Sequence, residues 1–178
     1  MANDKRDINI TSLIGAIVCW LLTAAWIIGI FYFSSENATE SSERSLGLLK
    51  IIEQIFGEEI MTEVLLRKIA HVMEFSFLSI LAFLSIRFTN KVSEYTSYAE
   101  SPVKIIKSDN EMYIAISMWL SFLVAVADEY HQLFVDGRSG SILDVAIDGI
   151  GIIVVLIIIR VIFTIYLKQL GTQEVRYE

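Results

Sequence analysis

The sequence predicts an all-α fold, an integral membrane four-helix bundle with short amphipathic interfacial helices between spans one and two. Hydrophobic residues make up 54% of the 178 residues, only 20% are charged, and the mean hydropathy is +0.59. A single proline and nine glycines leave room for long, unbroken helices. Four apolar stretches are each long enough to cross a bilayer core of about 30 Å, so we treat residues 1–178 as one membrane domain.

The composition also excludes several classes of protein. A disulfide framework is excluded because the only cysteine, Cys19, lies inside an apolar stretch. Fourteen Lys and Arg residues against twenty-one Asp and Glu residues give a formal net charge of −7. Proteins that bind nucleic acid normally carry a basic patch, so we expect no nucleic acid among the partners.

The four predicted spans cover about residues 13–33, 69–88, 112–132 and 142–167. The first has 21 residues without a charge. It exceeds the roughly 7–15 apolar residues of a signal-peptide core, and no small-residue cleavage site follows it, so we interpret it as an uncleaved span. The 26 residues of the fourth span exceed the thickness of the bilayer core as a helix, which predicts tilt or a projecting end.

The connection between the first two spans has an amphipathic pattern from Ser45 to Leu66, interrupted by Gly57. Two short helices would account for it, either lying on the membrane surface or docked into the mouth of the bundle. Their apolar residues are Leu48, Leu49, Ile52, Ile55 and Phe56, then Ile60, Met61, Val64 and Leu65. The polar segment 89–111, which contains Pro102, is predicted to be a loop.

Basic residues in the connections predict the orientation, because cytoplasmic loops carry an excess of Lys and Arg. Eight lie on the side of the two termini and five on the other side, which favours both termini in the cytoplasm. The eight are Lys5, Arg6, Arg87, Lys91, Lys104, Lys107, Lys168 and Arg176, and the five are Arg44, Lys50, Arg67, Lys68 and Arg138.

Polar side chains collect at one end of the predicted bundle, where the second span opens, the third closes and the fourth opens. They are Lys68, His71, Glu74, Asp128, Glu129, Gln132, Arg138, Asp144 and Asp148. Consecutive spans run in opposite directions, so these segments meet at one membrane face, the outer face in the orientation above. Ionisable groups within spans are costly and rarely persist without a partner or a task. We therefore predict a polar pocket at the extracytoplasmic face.

The charges of this pocket suggest two kinds of chemistry. Five carboxylates cannot all stay ionised near one another at low dielectric unless something compensates them. A divalent cation, Mg or Ca, is one solution, and a carboxyl group that keeps a proton and donates it is the other. The candidate metal ligands are Asp128, Glu129, Asp144 and Asp148.

Other residues of the pocket suggest proton transfer and anion binding. His71 and Glu74, one helical turn apart, could form a general-base pair, and the planar guanidinium of Arg138 suits a phosphate or carboxylate. Some of these residues could have a structural role instead of a functional one. Lys68 and Arg67 could be interfacial anchors, and Asp144 could be a charge favoured at a helix N-terminus.

The same residues carry a family likeness. Lys68-x-x-His71-x-x-Glu74, Asp128-Glu129-x-x-Gln132, Gly137-Arg138 and Asp144-x-x-x-Asp148-x-x-Gly151 follow one another in this order. The series resembles the VanZ-like family of bacterial membrane proteins, and the likeness covers almost the whole chain. It includes Phe31-Tyr32-Phe33-Ser34-Ser35, Ser42 and Ser45. The chain departs from the family pattern at Asp148, usually Asn, at Asp136, commonly Pro, and at Phe75, often Tyr.

The resemblance implies a cell-envelope protein of a bacterium, expected to be Gram-positive, that crosses the cytoplasmic membrane several times. The namesake of the family is associated with resistance to the lipoglycopeptide teicoplanin. That association supplies a phenotype and no reaction, so whether the chain is an enzyme stays open.

The sequence is compatible with three functions. The leading hypothesis is an outer-face pocket that handles a phosphate-bearing envelope lipid or polymer precursor, with membrane lipid or a lipid-linked precursor as partner. The second is a non-catalytic binding or accessory protein, which could take the lipoglycopeptide itself. The third is a small transporter, which should need polar groups reaching deeper into the bundle.

Overall fold

The computed structural model describes residues 8–57, 61–93 and 102–174, and these form five α-helices and no strand. The helices are α1 (Ile10–Ser34), α2 (Ala38–Phe56), α3 (Glu63–Asn90), α4 (Pro102–Gln132) and α5 (Ile142–Glu174). α1, α3, α4 and α5 each contain a stretch long and apolar enough to cross a membrane. The predicted helical membrane bundle with four spans is confirmed.

Polar side chains and one glycine set the ends of the first three helices. Asn9 caps α1 by accepting a hydrogen bond from the Ser12 N–H. At the start of α2, Asn37 and Glu40 form a reciprocal capping box. Gly57 ends α2 with a left-handed φ of +89°, a conformation that glycine adopts at no steric cost. Thr62 then caps α3.

The connection between the first two spans differs from the prediction. α2 begins at Ala38 because the capping box lies there, seven residues before the predicted start at Ser45. A second short interfacial helix is wrong, since Val64 and Leu65 belong to the first turns of α3. Ile60 lies outside the described residues.

The predicted loop 89–111 is also wrong in part. α3 continues to Asn90, one 3₁₀ turn covers Lys91–Ser93, and α4 begins at Pro102. Proline suits the first turn of a helix, where its missing N–H is not needed. Residues 94–101 lie outside the described part of the chain, as do the topology residues Lys5, Arg6 and Arg176.

α3 is the central helix of the bundle and packs against α1, α4 and α5, while α4 also packs against α5. The apolar core lies between these helices and contains Ile30, Phe75, Leu78, Val124, Ala125, Ile152 and Leu156. Large apolar side chains such as Leu21, Trp119 and Ile162 point outward and are exposed. Such an outward apolar surface is what a bilayer would cover.

Small residues allow close approach of the spans. A Cβ at Gly151 of α5 would lie 2.5 Å from the carbonyl oxygen of Val72 and 2.8 Å from the hydroxyl of Ser76 in α3. Small residues at such interfaces are typical of membrane helix packing. This contact brings the start of α5 against the start of α3, where the predicted polar residues lie.

We expect Gly151→Ala to lower the free energy of unfolding by about 1–3 kcal/mol, because the added methyl group overlaps the α3 backbone. Gly29→Ala is the matched control, since nothing lies within 4 Å of a Cβ at that position. Thermal unfolding in detergent would measure both changes. Equal melting temperatures for the two variants would contradict the close α3–α5 contact.

Candidate functional site

Two adjoining cavities lie at one end of the bundle, where α3 and α5 begin and α1 and α4 end. Their volumes are about 240 Å³ and about 220 Å³, and both are lined by Arg67, His71 and Arg138. Each of the nine side chains predicted to form a site lines one or both cavities. The structure therefore places these residues together, and their catalytic roles stay predictions.

The first cavity combines cations, hydroxyl groups and acids with one apolar wall. Glu74 and Asp128 supply acids from α3 and α4, beside His71. The three guanidinium groups belong to Arg44, Arg67 and Arg138, and the three hydroxyl groups belong to Ser34, Ser41 and Ser45. The apolar wall consists of Ile30, Phe33, Leu48, Leu66 and Ala70.

The second cavity contains the remaining predicted residues. Lys68 Nζ lies 3.6 Å from Asp144 Oδ1, and both side chains are half-exposed at the mouth. His71 Nδ1 lies 3.7 Å from Asp148 Oδ1, too far for a hydrogen bond. Within the described part of the chain, Asp148 is the carboxylate that lies within ion-pair distance of His71. The predicted pair of His71 with Glu74 is not seen among these contacts.

Two acids of the site are completely buried. Asp128 and Asp148 both have an exposed fraction of 0%. Asp128 Oδ2 accepts a hydrogen bond of 3.0 Å from the Gln132 amide, while its Oδ1 has no partner among the described residues. Neither carboxyl oxygen of Asp148 has one. Buried polar atoms without partners are costly, so these oxygens mark the position of a proton, water or ligand contact.

The turn between α4 and α5 holds Arg138 in place. Gly137 has a left-handed φ of +74°, which glycine tolerates best. A Cβ at Gly140 would overlap the carbonyl oxygen of Glu129, so only glycine lets the turn fold back onto α4. The Glu129 carboxylate accepts a hydrogen bond of 2.8 Å from the Ser141 N–H and closes the turn.

α2 covers the first cavity, which decides between the two arrangements left open by the sequence. Its buried face is Ser41, Ser45 and Leu49, one helical turn apart, while Ile55 and Phe56 are exposed. The serines together with Leu49 therefore dock into the mouth of the bundle, while the later part of the apolar stripe stays exposed.

Two contacts hold α2 against the turn between α4 and α5. Arg138 donates a hydrogen bond of 3.0 Å to the Ser41 hydroxyl. Beside it, the Ala38 N–H donates to the Asp136 carbonyl oxygen at 3.3 Å. Both contacts join α2 to a segment nearly 100 residues further along the chain.

Sequence reasoning missed five polar residues of the first cavity as candidate site residues, namely Ser34, Ser41, Arg44, Ser45 and Arg67. Arg44 and Arg67 count toward the topology, and Ser34 and Ser45 belong only to the family likeness. The spacing of Ser41 and Ser45 by one helical turn was the available signal. On an otherwise amphipathic helix that spacing is inconspicuous.

Arg138 forms no ion pair with a carboxylate of the described residues, although Asp128 and Glu129 lie close enough to interact with its charge. Arg44 pairs with Glu36 at 2.9 Å and Arg67 pairs with Glu63 at 2.6 Å. No carboxylate of the described residues lies within ion-pair distance of Arg138. Burial lowers the pKa of the Arg138 guanidinium from its usual value, and the nearby cation of Arg67 lowers it further. The group stays charged at neutral pH, so an anion bound beside it would be stabilised.

The predicted metal ligands do not form a compact cluster. Among the described residues, no three His, Cys, Asp or Glu side chains are arranged to hold a metal ion. Asp144 pairs with Lys68, and Glu129 is held by the Ser141 N–H. A Mg or Ca ion at these four acids stays a prediction with no geometric support.

Comparison with protein families decides the assignment. The VanZ/LLP1 family model matches residues 19–164, which include all nine predicted site residues. The chain belongs to the VanZ/LLP1 family. No curated protein and no solved structure matches it. As a member of this family with four candidate spans, it is a multi-pass membrane protein, associated with teicoplanin resistance through the family name.

Asp148, which is buried and has no hydrogen-bond partner among the described residues, gives a test of the buried acids. We expect Asp148→Asn to raise the free energy of unfolding by about 1–3 kcal/mol at neutral pH, because the amide need not be desolvated as a charge. Asp144→Asn is the control. Asp144 is half-exposed in a pair with Lys68, and such pairs contribute less than about 1 kcal/mol. Chemical unfolding in detergent would measure both, and destabilisation by Asp148→Asn would show that Asp148 is held by a contact as an anion.

Proposed function

We propose that the first cavity binds the phosphate group of a membrane lipid or a lipid-linked envelope precursor at the extracytoplasmic face. The observation that carries the proposal is Arg138, a half-buried cation that lines both cavities and has a neutral hydroxyl, Ser41, as its hydrogen-bond partner. A guanidinium binds phosphate through two parallel hydrogen bonds, which makes arginine the usual residue for this task.

The other polar groups of the cavity suit the same ligand. Arg44 and Arg67 line it too, and each is paired with only one carboxylate, Glu36 and Glu63. Serine hydroxyls can donate hydrogen bonds to the remaining phosphate oxygens. Three cations around one cavity repel one another, and an anion bound between them would remove that repulsion.

The apolar wall supports a lipid rather than a soluble phosphate. Phe33 and Leu48 line the cavity and are 43% and 50% exposed, so they extend from its polar interior to the outer surface. Ile30, Leu66 and Ala70 complete this wall. A hydrocarbon chain could lie along these side chains while its phosphate reaches Arg138.

Acid–base groups lie beside the proposed phosphate position. His71 lines both cavities, and Glu74 and Asp128 line the first. These are the groups that a hydrolysis or transfer step would use for proton transfer. The extracytoplasmic placement follows from the distribution of basic residues, and it would let the site act on precursors of the cell envelope.

We expect Arg138→Gln to weaken binding of a radiolabelled long-chain lipid phosphate by about tenfold or more, since a charged hydrogen bond is lost. Arg160→Gln is a control that removes the same charge, because Arg160 lies on α5 and pairs with Glu111 away from the site. Equal binding by the wild type and Arg138→Gln in detergent would rule out this role. Displacement of the lipid phosphate by inorganic phosphate alone would show that the hydrocarbon chain does not contribute to the affinity.

The family association predicts a cellular readout. In a susceptible host with matched membrane levels, we expect the wild type and Arg160→Gln to raise the minimum inhibitory concentration of teicoplanin. Arg138→Gln should lose this protection, because the anion site is removed. Protection by all three proteins would show that resistance does not depend on Arg138. If none of them protects, this chain does not confer the resistance for which the family is named.

A further inference from the structure

A third cavity lies at the opposite end of the bundle, away from the proposed function. Its volume is about 170 Å³, and it lies between the end of α3, the early part of α4 and the later part of α5. Its lining includes two cations, Arg87 and Lys91, one acid, Asp109, and the side chains of Asn110, Tyr113 and Phe163. At about 30 Å³ for each water-sized group, it has room for about five or six such groups, enough for a phosphate group.

The two cations of the lining outnumber its one acid, Asp109, so the net charge of the cavity favours an anion. No carboxylate of the described residues lies within ion-pair distance of Arg87 or Lys91. Arg87 stacks on the ring of Phe163, with its Cζ atom 4.3 Å from the ring centroid. Stacking of this kind fixes the guanidinium plane while leaving its N–H groups free to donate at the edge.

The cavity also contains a buried acceptor without a donor. Asn110 is only 5% exposed, and its Oδ1 has no hydrogen-bond partner among the described residues. The neighbouring Asn90 amide instead donates to the Tyr113 hydroxyl. A buried amide oxygen without a partner is costly, so a ligand that fits this cavity should bring a hydroxyl donor as well as an anion.

An apolar surface continues from the cavity along α5. Tyr166 lines the cavity and is 51% exposed, and Ile162, one turn earlier, is 58% exposed. Both face outward within the candidate fourth span, Ile142–Gln169. A ligand with its polar group in the cavity could therefore lay hydrocarbon chains against α5 in the membrane.

We propose that this cavity binds the headgroup of an anionic phospholipid that carries a free hydroxyl group. The phosphodiester lies against Arg87 and Lys91, and the headgroup hydroxyl donates to Asn110 Oδ1. In the orientation favoured by the basic residues, this end faces the cytoplasmic leaflet, where basic pockets between spanning helices commonly meet anionic lipids. The proposal is independent of the site around Arg138.

The first experiment titrates the purified protein with phosphatidylglycerol and counts bound lipids by native mass spectrometry. The double variant Arg87→Gln, Lys91→Gln should weaken one binding event by about tenfold. Arg160→Gln should leave that event unchanged, although it removes a positive charge from α5. Arg138→Gln should also leave it unchanged, which separates this site from the one in the proposed function.

The second experiment keeps both cations and removes the hydroxyl acceptor. The wild type should prefer phosphatidylglycerol over phosphatidylmethanol, which has the phosphodiester without a headgroup hydroxyl. Asn110→Ala should bind the two lipids equally. This variant keeps the proposal testable if the double variant does not fold, a point that circular dichroism and gel filtration would decide.

Three results would overturn the proposal. Equal losses in Arg160→Gln and the double variant would show that only net charge matters. An unchanged lipid preference in Asn110→Ala would show that the headgroup hydroxyl does not bind Asn110. Displacement of phosphatidylglycerol by millimolar inorganic phosphate would assign the cavity to a soluble anion instead of a lipid.

Discussion

The hydrogen bond from Arg138 to Ser41 is the contact on which the candidate site depends. It joins the turn between α4 and α5 to α2 across 97 residues of sequence, and the backbone contact from Ala38 to Asp136 reinforces it. Because the hydrogen-bond partner of Arg138 is a neutral hydroxyl, the contact holds α2 over the cavity without placing a carboxylate of the described residues in ion-pair distance of the guanidinium. The same interaction thus closes the site and leaves its cation available to an anion.

Hydrogen bonds between the spanning helices fix their positions relative to one another, and so support the contact between Arg138 and Ser41. Thr23 of α1 bonds to Ser85 of α3 at 3.0 Å, and Ser79 of α3 donates to Ser121 of α4 at 2.9 Å. In a membrane such polar groups have no water to bind, so their partners must come from neighbouring helices. These contacts fix how far the helices slide past one another, and with it which ends meet around Arg138.

The two ends of the bundle differ in the kind of charge they bury. The end with the family residues buries acids, Asp128 and Asp148, among arginines, whereas the opposite end places Arg87 and Lys91 beside one acid, Asp109, and the amides of Asn90 and Asn110. Buried acids beside arginines support the proton transfer proposed at the first end, and the excess of cations supports the lipid binding proposed at the second.

The sequence by itself determined the four spans and the end at which the polar residues meet, because long apolar stretches must cross a bilayer and consecutive spans alternate in direction. It did not determine that α4 begins at Pro102, since that polar stretch becomes helical where Asn110 and Tyr113 pack inside the bundle. Only the tertiary structure decided that Ser41 of α2 meets Arg138. Docking of an amphipathic helix depends on contacts between distant segments, and no local pattern of residues specifies them.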